Sequence, residues 1–144
     1  MIKSEITATF KSDIGSVWNV VTNNKDGKWR SDIERIEESD DGMTFIEYAP
    51  NGEKTKFTIT KKIPYSAYEF DMEHKIFTGF FAGHFTETEG GGTKAVFTEN
   101  ILLKNPFFKI LSSVFAKKLM KMQETYVENL KNKLVENLKT RLGE

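Results

Sequence analysis

Four side chains with ionisable or hydroxyl groups fall where apolar periodicity surrounds them: Lys61, His74, Glu99 and Tyr126. Alternate residues of a strand point to the same side of a sheet. Lys61 therefore shares a face with Phe57 and Ile59, His74 with Phe70 and Met72, and Glu99 with Phe97 and Ile101. Tyr126 sits inside an apolar helical stripe. A carboxyl or imidazole surrounded by hydrocarbon has its pKa moved, which suits it to acid–base work or to holding the polar end of a ligand. Each also has a plainer reading. Lys61 and His74 lie near strand ends, where a side chain reaches water. Glu99 pairs with a lysine, and Tyr126 is a core ring with one hydrogen bond. No two of these residues have a spacing that requires catalysis, and no catalytic residue is assigned.

Other chemistries are narrowed by composition. The 144 residues include no cysteine and two histidines, which removes disulfides, thiolate nucleophiles and cysteine metal sites. His84 falls opposite Phe81 and Phe85, on the solvent side, so no metal site and no cofactor are expected. Asp32 and Glu34, beside Arg30 and Arg35, read as a solvated charge cluster, and Glu37 to Asp41 as an acidic turn without a calcium-loop pattern. Phosphate-binding loops, dinucleotide fingerprints and nucleophile elbows are absent from the sequence. Lys plus Arg and Asp plus Glu both number 21, so no basic field argues for nucleic acid. No apolar run approaches the ~20 residues needed to span a bilayer. The alternating start, Met1 to Glu5, does not read as a signal segment. The expected location is the cytoplasm.

The elements that must position these residues follow from periodicity. Residues 2–10 alternate as a strand, with Ile2, Ser4, Ile6, Ala8 and Phe10 on one face. Ser12 or Asp13 caps a short helix to about residue 23, whose apolar face is Ile14, Val17, Trp18 and Val21. Residues 23–32 are polar, hold Trp29, and read as a helical turn or loop. Strands are expected over 33–38, 43–49, 54–63, 67–74, 77–87 and 93–103, separated by turn signals. Gly79 and Gly83 let the fifth of these bend. Asn105 and Pro106 open a long helix to about residue 138. Its stripe is Phe108, Leu111, Phe115, Leu119, Met122, Tyr126, Leu130 and Leu134. Such a helix outruns a ten-residue strand, so its tail should overhang the sheet or meet a partner. Phe107, Ile110 and Val114 form a second apolar flank among Lys109, Lys117, Lys118 and Lys121, fit for a lid, a dimer contact or a peripheral membrane edge.

Short connections between the strands require an antiparallel sheet, and with the helices an α+β class. This element order resembles the helix-grip superfamily of START lipid-transfer domains, birch-pollen-type allergens and bacterial polyketide cyclase/dehydrase-like proteins. The local likeness lies in Ser-Asp-Ile-Gly-Ser-Val-Trp at 12–18, Lys28-Trp29, Gly-Gly-Thr at 91–93 and Asn105-Pro106-Phe107. The likeness covers residues 2–140 and is greatest to the cyclase-like branch. It implies a single domain over 1–144: a curved sheet of six to seven strands around a long C-terminal helix, with one or two short helices after the first strand. It also implies a cavity for a small hydrophobic or amphipathic ligand such as a lipid or polyketide. The lining is expected to include Phe57, Ile59, Lys61, Phe70, Met72, His74, Phe81, Phe97, Glu99, Phe115, Leu119, Met122 and Tyr126, with Trp29 as a gate or a loop staple. The alternatives are a cyclase or dehydratase using Glu99, His74 or Tyr126, and a protein-interaction module of the heat-shock-ATPase activator type, with a filled core. The sequence leaves monomer and homodimer both open.

Overall fold

A computed structural model describes residues 1–143. Strands β1 (Ile2–Phe10), β2 (Arg35–Glu38), β3 (Thr44–Tyr48), β4 (Lys54–Ile63), β5 (Ala67–Glu73), β6 (Phe77–Glu87) and β7 (Thr93–Leu103) form one sheet. Its order is β1-β7-β6-β5-β4-β3-β2. Every neighbouring pair is antiparallel. Helix α1 (Ile14–Thr22) follows β1, and helix α2 (Ser112–Arg141) closes the chain. Each strand turns its alternating apolar residues to one concave face, and α2 lies across that face. The architecture is the α+β helix grip that the element order implied.

Helix α1 begins where Asp13 supplies an acceptor. Its Oδ2 takes the backbone N–H of Ser16 at 3.1 Å, and its Oδ1 takes the Ser16 hydroxyl at 2.6 Å. The helix buries Val17, Trp18 and Val21. Trp18 meets Phe85 edge-on at 5.5 Å, so α1 is fixed to the sheet by an aromatic contact. Asp13→Ala should therefore cost about 1 kcal/mol of stability in urea unfolding. An unchanged midpoint would show that tertiary packing alone defines the start of α1.

Two local features break the regular pattern of the strands. A Cβ at Gly79 would lie 2.8 Å from Ile101 Cδ1 and 2.9 Å from both the Asn100 carbonyl and Met72 Cε. Only a residue without a side chain fits there. The second is a bulge in β4 between Ile59 and Lys61. The extra residue reverses which way the following side chains point. Lys61 therefore lies opposite Glu69 on the outer face, with Nζ 3.9 Å from its carboxylate. This corrects the placement of Lys61 beside Phe57 and Ile59. Strict alternation assumes an unbroken strand.

The long helix also departs from expectation. Asn105 Oδ1 caps the N–H of Phe107 at 3.0 Å and Pro106 occupies the first position, as read from sequence. The first turns, Pro106–Leu111, are nevertheless 3₁₀ rather than α, and α2 proper starts at Ser112. No residue of that 3₁₀ segment is buried, so no packing holds it to α geometry. Phe107, Ile110 and Val114 are all exposed. In α2 the buried positions are Leu119, Gln123, Val127, Leu130 and Leu134. Leu111 and Met122, expected in the stripe, are about half exposed, at 51% and 45%. Gln123 takes an inner position because it is satisfied there. Its Oε1 accepts the Ser4 hydroxyl at 2.6 Å, and its Nε2 donates to the carbonyls of Ser4 at 3.3 Å and Phe97 at 3.4 Å. These bonds tie the helix to β1 and β7. Val135, Leu138 and Leu142, towards the helix end, remain exposed. Among the described residues, no helix is long and apolar enough to cross a membrane.

Candidate functional site: a cavity between sheet and helix

The concave sheet and α2 do not close on each other completely. Between them lies a cavity of about 480 Å³. Its wall is built largely from the inner-face residues of β3 to β7. Phe45 stacks on Phe57 at 4.8 Å and Phe70 on Phe81 at 4.5 Å. Helix α2 contributes Phe115, Leu119, Met122 and Tyr126. Asn51, Lys118 and Met122 are the exposed residues of the wall and mark its mouth.

Phe57, Phe70, Met72, His74, Phe81, Phe97, Glu99, Phe115, Leu119, Met122 and Tyr126 all line this space. Three residues expected there do not. Ile59 is buried in the core on the same face as Phe57, opposite Phe70, but does not border the cavity. Lys61 is on the outer face. Trp29 is no gate: its Nε1–H donates to the Asp26 carbonyl at 3.1 Å and its ring meets Tyr126 edge-on at 5.4 Å. It lines a separate groove with Lys133 and Leu134. His74 does not reach out to water from its strand end; it is 8% exposed. Its Nδ1 accepts the Ile76 N–H at 3.2 Å, which leaves the Nε2–H to donate to Glu53 at 3.2 Å. Phe77 stacks on the ring at 4.6 Å. Both ring nitrogens are thus already used.

The polar inner wall is organised by Arg30. Its guanidinium donates to Asp32 through Nε at 3.2 Å and Nη2 at 2.8 Å. It donates to Glu47 through Nη1 at 2.6 Å and Nη2 at 3.1 Å. It also lies 5.3 Å from the centre of the Tyr126 ring. Burial works most strongly against the charge on Arg30, yet Glu47 and Asp32 outweigh it and raise its pKa. Asp32 is therefore part of a cavity ion-pair network, not the solvated cluster expected. Sequence reasoning missed Arg30 because residues 23–32 have no periodicity to orient them. Glu47 was missed too, although it stands two residues from Phe45 on β3 and so shares its inward face.

Glu99 faces the same space from β7, opposite Phe81 on β6 and Ser4 on β1. It has no lysine partner among the described residues. Burial first, then the charges of Glu47 and Asp32, push its carboxyl up to about 7, with Arg30 opposing. No hydrogen bond from the described residues contributes to that balance. The Tyr126 hydroxyl is raised too, chiefly by burial. The Tyr68 hydroxyl accepts from Asn24 Nδ2 at 2.9 Å, and burial pushes it up to about 12.

A seven-stranded antiparallel sheet gripping a C-terminal helix over an aromatic cavity is the fold of START-like proteins. The solved structures that share it include a START superfamily protein from Mycobacterium smegmatis, with a TM-score of 0.79 and 10% identity over 94% of this chain and 99% of that one. A conserved protein from Geobacillus kaustophilus gives a TM-score of 0.80 at 10% identity, covering 94% of this chain and 96% of that one. A protein from Thermus thermophilus gives 0.78 at 16% identity, over 94% and 98% of the two chains. At such identities the likeness is one of fold. No family model matches the chain, and no curated protein matches it in sequence.

Proposed function

We propose that the chain is a single domain that binds a small, mainly apolar ligand in the cavity between the sheet and α2. The observation that carries this reading is the cavity itself: about 480 Å³, walled by aromatic rings, with a few placed polar groups. Specific ligand sites have that size and composition. START-like folds commonly serve hydrophobic ligands, which supports the same reading. The cavity favours this reading over the interaction-module alternative, for which a filled core was expected.

Native mass spectrometry of the purified protein, before and after organic extraction, tests the proposal. An extractable mass should accompany the parent, and Leu119→Trp, which fills the space with an indole, should lose it while keeping its circular dichroism. A parent that carries nothing and binds no fluorescent lipid or sterol analogue would overturn the carrier reading.

The acid–base alternative keeps one specific support. A carboxyl near pH 7 inside an apolar cavity is matched to proton transfer at neutral pH. An extracted ligand whose mass changes on incubation with the parent, but not with Glu99→Gln, would select it.

A further inference from the structure

The cavity makes a chemical demand on whatever fills it. Glu99 presents a carboxyl group to the space with no hydrogen-bond partner among the described residues. A ligand that reached it with hydrocarbon would leave that group desolvated and unpaired, a costly outcome. Arg30 is a poor second anchor for an acid. A guanidinium has five N–H donors, and four contacts to Asp32 and Glu47 already engage it. The charged groups that act on Glu99 are Arg30 and Asp32 from the loop before β2 and Glu47 from β3, and Tyr126 from α2 lines the same cavity. With Glu99 ionised, three carboxylates meet one cation at this wall. Phe81, paired with Glu99 across β6 and β7, and Phe97, two residues before it on the same face, stand beside it, and aromatic rings attract cations. The other charged residues of the wall are Glu53, His74 and Lys118. His74 and Glu53 satisfy each other, and Lys118 stands at the mouth.

We propose that the ligand is an amphipathic molecule whose head donates hydrogen bonds to Glu99, an amine in preference to an alcohol, and that the site discriminates against carboxylic acids. This rests on the binding reading above and names its chemical class. The head enters first, to the inner wall, and the apolar body lies among the rings towards the mouth. Because Glu99 titrates near neutrality, the grip on an amine strengthens as its carboxyl ionises.

Calorimetric titration of decylamine, 1-decanol and decanoic acid into the parent and into Glu99→Gln, at pH 6 and pH 8, tests this. The expected order for the parent at pH 8 is amine, then alcohol, then acid, with the amine about tenfold or more tighter than the acid. Its affinity should rise from pH 6 to pH 8, and Glu99→Gln should remove both the rise and the preference. The acid binding tightest, or an amine affinity that is flat or falls with pH in the parent, would overturn the inference while leaving the cavity a ligand site. Failure of all three probes to bind would overturn both.

Discussion

Glu99→Gln should make the ligand-free protein more stable at pH 8, by about 2 kcal/mol, and leave it unchanged near pH 4. The folded protein holds the Glu99 carboxyl near 7, above its ordinary 4.5. Between these values the folded state binds the proton that the unfolded chain has released, so stability falls as pH rises through that window. The penalty is absent below about pH 4.5 and complete above about pH 7. The full shift corresponds to about 3 kcal/mol, and water entering the cavity screens part of it. Glutamine keeps the shape without the charge. Urea unfolding of both proteins at pH 4, 6 and 8 measures the effect. A variant that is less stable at pH 8 would mean that the Glu99 carboxylate is paired in solution. The predicted gain is also diagnostic of function, because a group that destabilises the empty fold is one that selection for stability alone would remove.

The opposite sign is expected at Arg30. Arg30→Ala should lose about 3 kcal/mol at pH 8, because it leaves Asp32 and Glu47 in a cavity wall without their cation. The parent holds these charges at 14%, 22% and 13% side-chain exposure for Arg30, Asp32 and Glu47, so water does not readily replace the guanidinium. Arg30 also lowers the pKa of Glu99, and without it that carboxyl rises further. A folded state that raises the Glu99 carboxyl further gains its proton, and relative stability, as pH falls. The deficit should therefore shrink between pH 8 and pH 5. Since Arg30 and Glu99 act on each other, their changes should not add: Glu99→Gln should stabilise the Arg30→Ala background more than the parent. A deficit that does not change with pH would assign the loss to packing against Tyr126 rather than to charge.

Alternation and helical spacing were enough to locate every strand and both helices, since each element buries one face and the periods of two and 3.6 are visible in the chain. The same alternation brought Phe57, Phe70, Phe81, Phe97 and Glu99 to one side of the sheet, and they line one cavity. It failed at Lys61, because a bulge adds a residue without a sequence signal and turns every following side chain over. It was silent on Arg30, whose position comes from a loop that only Asp32, Glu47 and Tyr126 hold in place. It left Trp29 open between a gate and a loop staple; the ring bonds within its own loop and packs on Tyr126, outside the cavity lining.

By itself, then, the chain's pattern of apolar residues determined the α+β class, the antiparallel order and the inward face of most strands, because these are properties of short segments. Tertiary structure alone decided that a space of about 480 Å³ remains between sheet and helix. The Gln123 bonds to Ser4 and Phe97, which join residues far apart in the chain, position α2 over the sheet. Tertiary structure also decided that Glu99 feels the charges of Arg30, Asp32 and Glu47 there. Electrostatic environment depends on groups brought together across the fold, and no local period records it.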